Sequence, residues 1–160
     1  MKKRIYLFSI ITVALLIGIS ALFLILGNNK TLAEVEIKDN VLNSWNKINI
    51  ELKEKSPNNY HFENMDLNNG DLFLLHGENQ GLKLKEGDNL LVDLTMVPDG
   101  LSHTGVGYIM NGKYTEFFLA PVSDKLITSF DVEEDGDYII CIVGGNANFI
   151  TITNGAISID

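Results

Sequence analysis

The sequence predicts an all-β domain, an antiparallel β-sandwich of jelly-roll type, carried behind one N-terminal membrane helix. Three observations predict it. Beyond residue 40, short runs rich in Val, Ile, Leu, Phe and Tyr are divided by Gly, Asn and Asp; they recur about every eight to twelve residues, the spacing of a sandwich or barrel. Asn111-Gly112 separates two such runs, and both residues tolerate the positive φ of a tight hairpin. No segment with helical periodicity stands outside one long uncharged stretch near the start.

That stretch, Ile5 to Leu26, contains no charged residue, and its only polar side chains are Tyr6, Ser9, Thr12 and Ser20. As a helix it spans about 33 Å, which suits a hydrocarbon core of about 30 Å. The apolar region of a cleavable signal peptide is shorter, about 7–15 residues. Lys2, Lys3 and Arg4 precede the run, and Gly27, Asn28 and Asn29 follow it. Retention of positive charge inside places the N-terminus in the cytoplasm and everything after Gly27 outside. The organisation expected is a basic tail over 1–4, a signal-anchor helix over 5–27, a polar stalk over 28–40 and an extracytoplasmic sandwich over 41–160. The alternative is cleavage after Ala33, in "TLAE", which would release the same domain. No Cys stands directly after the apolar run, so a lipid anchor on cysteine is excluded.

The strands follow in order. "WNKINIELK" (Trp45–Lys53) alternates, with Ile48, Ile50 and Leu52 on one face and Lys47, Asn49 and Glu51 on the other. Lys55–Gly70 is rich in turn residues, although Tyr60 and Phe62 share a strand face if that stretch is extended. "DLFLLHG" (Asp71–Gly77), "NLLVDLTMV" (Asn89–Val97), "GVGYIM" (Gly105–Met110) and "KYTEFFLA" (Lys113–Ala120) come next, the last two forming the Asn-Gly hairpin. "LITSFDV", "DYIICIVG", "NFITIT" and "AISID" complete the set, divided by "EEDG", "GNA" and a second "NG". In "DYIICIVG" Tyr138, Ile140 and Ile142 point one way, yet Ile139, Cys141 and Val143 on the other face are apolar too. A sheet with one wet side alternates polar and apolar. This strand is therefore expected either to be covered on its second face, by loops or by the segment around Trp45, or to present a docking surface.

Charge and cysteine content narrow the function classes. Three of the 12 basic residues precede Ile5, so the remainder sets nine against 21 acidic residues. An acidic exported portion argues against nucleic acid as partner. The single cysteine, Cys141, has no internal disulfide partner and reads as a small buried hydrophobe. Abundant Ile, Asn and Lys give the chain a bacterial character.

"FDVEEDGDYIICIVGGNANFITI" (Phe130–Ile152) resembles the closing hairpin of GOLD-like and bacterial pre-peptidase C-terminal-type β-sandwiches, with Phe130, Val132, Gly136, Tyr138, Ile140 and Ile142 at the matching places. The resemblance implies a module that binds protein, lipid or polysaccharide rather than one that catalyses.

The residues themselves carry no catalytic signature. His61, His76 and His103 show no metal-ligand spacing. "DLNNGD" (Asp66–Asp71) is faintly like a calcium loop but has Gly77 where the twelfth-position acid belongs. Ser102 and His103 are adjacent and so point apart in an extended loop. Nucleophile-elbow, zinc-protease and phosphate-loop motifs are absent. The sequence predicts a non-catalytic, membrane-anchored surface module for protein binding or assembly, with no cofactor. Its partners are the lipid bilayer through Ile5–Leu26 and a protein at the cell surface. Recognition is expected from Tyr60, His61, Asp99, His103 and Trp45, as aromatic and imidazole groups interrupting polar loops. The alternatives are a cell-wall or carbohydrate-binding module, for which Trp45 and Tyr60 supply the aromatic platforms, and a small exported enzyme with two or three titratable groups converging in a pocket.

Overall fold

The structure, a computed structural model, describes residues 44–77, 80–97, 102–145 and 150–160. All of them belong to the unit Ala33–Asp160. The expected anchor from Ile5 to Leu26, the stalk, the cleavage position at Ala33 and the site residue Asp99 lie outside the described residues. Among the described residues no helix is long and apolar enough to cross a membrane.

The chain forms β1 (Asn46–Glu51), β2 (Lys53–Ser56), β3 (Asn59–Phe62), β4 (Met65–Leu67), β5 (Asp71–His76) and β6 (Leu82–Leu84). These are followed by β7 (Asn89–Val97), β8 (His103–Met110), β9 (Lys113–Pro121), β10 (Lys125–Asp131), β11 (Gly136–Gly145) and β12 (Ile150–Ile159). They build two sheets. The first runs β1-β5-β11-β8-β9, with β6 also on β11; the second runs β10-β7-β12-β3-β2, with β4 also on β12. Within them β5-β11-β8-β9 faces β3-β12-β7-β10, the interleaved order of a jelly roll.

Alternation decides what lies between the sheets. Phe73, Leu75, Val106, Ile140 and Ile142 from the first sheet meet Phe62, Leu90, Val92, Leu94, Ile152 and Ile157 from the second, all buried in one cluster. Tyr60 and Phe62 do share a face, opposite Ile157 and Gly155. The β8–β9 hairpin closes at Asn111 and Gly112 with φ of 52° and 79°, positive at both turn positions as its twist requires.

Three expectations are corrected. The sandwich is not wholly antiparallel: β1 runs parallel to β5. Phe130–Ile152 is not a hairpin, because β10 pairs with β7 in one sheet while β11 pairs with β5 and β8 in the other. The Asp-Gly turn steers a crossing between sheets rather than a return within one. Finally, Asn154-Gly155 does not separate two strands; β12 runs through it with a register shift between Ile152 and Asn154.

The two outer faces differ. On the second sheet the outer side is wet, with Lys125 and Asp93 paired at 3.4 Å and Ile127 55% exposed. On the first sheet Leu72, Leu74, Ile109, Cys141 and Val143 form a second buried cluster, against which Trp45, Tyr114 and Ile139 pack. This accounts for the two apolar faces of β11, a central strand buried on both sides. Burial pushes the Cys141 thiol well up, consistent with an inert packing role.

Candidate functional site

The site begins where one strand changes sheets. β1 accompanies β5 up to the Glu51–His76 pair, and Leu52 N–H makes the last bond, to His76 O at 2.9 Å. Past Leu52 the chain joins the second sheet as β2, beside β3. Meanwhile β5 ends, Gly77 N–H bonds to Gln80 O at 3.0 Å, and β6 resumes along β11. Gly81 permits that return: a Cβ there would stand 2.7 Å from the Tyr138 carbonyl.

The divergence opens a groove of about 800 Å³. It is lined by Glu51, Leu52, Lys53 and Glu54 from the β1–β2 crossing, by Gly77, Gly81, Leu82 and Lys83 from the ends of β5 and β6, and by Tyr60. The exposed lining is more polar than apolar; Leu52 and Leu82 are buried behind it, and the Tyr60 ring packs on the main core. Both rims are charged and exposed. Lys83 Nζ lies 3.6 Å from Asp137 Oδ1 at the surface. Burial, reinforced by the Glu54 carboxylate, holds the Tyr60 phenol above its usual range, so it stays a neutral hydrogen-bonding group. The arrangement suits reversible binding: one aromatic ring in a mostly polar groove, with charges of both signs at the rim.

The expected site residues are not brought together. Tyr60 lines the groove; His61, beside it, points to the other face of β3 and donates from Nδ1 to Lys53 O at 3.1 Å. Both belong to a strand rather than a loop. His103 opens β8, again not in a loop, opposite Gly145 at the end of β11. Its Nδ1 is buried without a hydrogen bond. Tyr60 pairs with Ile157, near the far end of β12, so His103 and Tyr60 occupy opposite ends of the sandwich. Trp45 packs against the second apolar cluster and is half-buried.

Sequence reasoning missed Glu51, Lys53, Glu54 and Lys83 as rim residues. The only available signal was "WNKINIELK" itself, whose apolar alternation runs on through Leu52 with Lys47, Asn49, Glu51 and Lys53 on the outward positions. Asp66 and Asp71 are occupied internally: Thr151 Oγ1 donates to Asp66 at 2.7 Å, and Asn46 and Asn68 donate to Asp71. Among the described residues no three His, Cys, Asp or Glu side chains gather to hold a metal ion.

No family model matches this chain, and no curated protein resembles it. Among solved structures it is similar to PliG from Aeromonas hydrophila, a periplasmic inhibitor of g-type lysozyme. That likeness has 12% identity and a TM-score of 0.47, over 71% of this chain and 97% of that one. It is also similar to the C-terminal CBM6 of LamC, a marine laminarinase from Zobellia galactanivorans, with 12% identity and a TM-score of 0.43 over 62% of this chain and 90% of that one. Neither likeness bears on function.

Proposed function

We propose that this chain is a single-pass surface protein, cytoplasmic at its N-terminus, whose extracytoplasmic β-sandwich binds or assembles with a protein partner and does not catalyse. The uncharged run from Ile5 to Leu26 behind Lys2, Lys3 and Arg4 supports the anchoring. The acidic remainder favours a protein over a nucleic acid. The observation that carries the reading is the open groove lined by Tyr60 and by charged rims of both signs. The carbohydrate alternative keeps Tyr60 as a platform but loses Trp45, whose ring is engaged with the second cluster.

The test is affinity capture from detergent-solubilised native membranes, using the full chain tagged after Asp160. A defined partner, recovered with the native chain and lost with the rim double variant Lys53→Glu/Lys83→Glu, supports the reading. Retention on insoluble peptidoglycan, with no protein recovered, would replace it by the cell-wall alternative. Finding the mature chain in culture fluid, beginning near Glu34, would remove the anchor.

A further inference from the structure

We propose that the groove takes an extended peptide segment of the protein partner, which adds as a strand to the open edge of β6; this rests on the binding reading above. β5 and β6 lie end to end along one edge of β11. β1 covers that line only as far as β5 and then leaves for the second sheet. β6 therefore has β11 on one side and, among the described residues, no strand on the other. A strand edge of this kind leaves main-chain N–H and C=O groups unpaired at alternate residues. The groove runs directly beside it, lined by Leu82 and Lys83. An incoming segment takes the place alongside β6 that β1 vacates at Leu52.

The neighbouring edge shows why β6, and not β2, is the acceptor. β2 is exposed along its whole length, carries Lys53 and Lys55, and breaks register between Glu54 and Ser56. Lysines and bulges are the devices that guard a sheet edge against pairing. β6 has an unbroken register with β11, two buried leucines and one outward lysine.

The dimensions and chemistry define the occupant. Three residues of β6 extend for about 10 Å, so three or four ligand residues pair with it. A ligand side chain turned into the groove meets the Tyr60 ring, against which an apolar group packs; its neighbours meet the charged rims. Because the rims carry both signs, the main-chain bonds supply most of the affinity, and one apolar position between polar ones sets the preference.

The experiment uses the full chain in lipid nanodiscs and a phage-displayed library of random decapeptides. Enriched peptides are synthesised and then N-methylated at alternate amides, in each of the two phases. In the expected result the peptides share an apolar residue flanked by polar ones, and one methylation phase lowers affinity by about tenfold or more while the other leaves it nearly unchanged, as loss of one or two main-chain hydrogen bonds demands. Tyr60→Ala weakens binding by a similar factor. Because Tyr60 touches the core, amide exchange at Leu82–Leu84 in the unaltered chain serves as a second readout, slowing when peptide is added. Absence of enrichment, equal sensitivity in both methylation phases, or unchanged exchange at β6 would each overturn the inference. If membrane capture still depended on Lys53 and Lys83, the binding reading would stand and the ligand would be something other than an added strand, such as a glycan on Tyr60.

Discussion

The Tyr138 hydroxyl donates to the Glu134 carbonyl oxygen at 2.9 Å, closing the arch by which the chain passes from β10 in one sheet to β11 in the other. The ring itself is buried and packs with Tyr108 and Phe130, at centroid distances of 5.0 and 6.1 Å. Loop 85–88 is tied to the same arch, through Glu86 N–H to Asp135 Oδ1 at 2.8 Å and Val132 N–H to Asp88 O at 2.8 Å. The Tyr138 side chain thus joins the two sheets at the corner where both loops meet. Tyr138→Phe keeps the ring and removes the bond. Denaturant unfolding of the full chain in mild detergent should show a loss of about 1 kcal/mol. An unchanged midpoint would mean that packing alone holds the corner.

Gly155 is required for a reason unrelated to turning. A Cβ there would fall 2.3 Å from Phe62 Cζ, because the ring lies flat over the backbone of β12. Gly155→Ala must displace a ring that is 3% exposed, with an expected cost of about 1–3 kcal/mol. A paired Phe62→Leu substitution should restore part of the loss, a non-additivity readable in a double-mutant cycle.

Asp71 gives the fold its clearest acid dependence. Burial alone would raise its pKa, but hydrogen bonds from Asn46 Nδ2 at 2.8 Å and from the backbone and side chain of Asn68, both at 2.9 Å, outweigh it and hold the carboxyl below its usual value. A depressed folded-state pKa means stability that is fully present above the unfolded value, about 3.9, and lost as pH falls through the folded value beneath it. Asp71→Asn should cost about 1.5–3 kcal/mol at neutral pH and flatten the decline of the unfolding midpoint below pH 4. An unaltered acid slope would assign that decline to other carboxylates.

Thr104 offers the opposite sign. Its side chain is wholly buried, and Oγ1 has no hydrogen-bond partner. Thr104→Val conserves shape and removes an unsatisfied hydroxyl, so the domain should gain about 1 kcal/mol. A destabilised variant would point to a buried water on that oxygen.

The elements were legible where local chemistry decides them. The alternation of Ile48, Ile50 and Leu52 with Lys47, Asn49 and Glu51 gives the faces of β1 as observed, and Asn111-Gly112 makes the turn its φ tolerance permits. The second apolar face of β11 is covered, with Trp45 part of the cover. The same Asn-Gly pair misleads at 154–155, because a glycine that admits a ring and a glycine that admits a turn look identical in one dimension. The short strands β2, β4 and β6 were illegible: three or four residues carry too little periodicity to stand out.

The candidate site was barely legible. Tyr60 was singled out as an aromatic among polar residues, and it does line the groove. The rim residues Glu51 and Lys53 read only as the outward side of a strand, because nothing near them in the chain announces that the strand changes sheets at Leu52. His103 and Tyr60 looked alike by composition and stand at opposite ends of the sandwich.

The sequence by itself determined that the described region is all-β and which side of each long strand faces the core, since a side-chain period of two is a local property. Only the tertiary structure decided sheet membership, the parallel pairing of β1 with β5, the arch at Tyr138 and the open edge of β6. Those depend on which distant strand supplies the hydrogen-bonding partner. A strand offers the same N–H and C=O groups to every possible neighbour, so that choice is made by the packing of the whole.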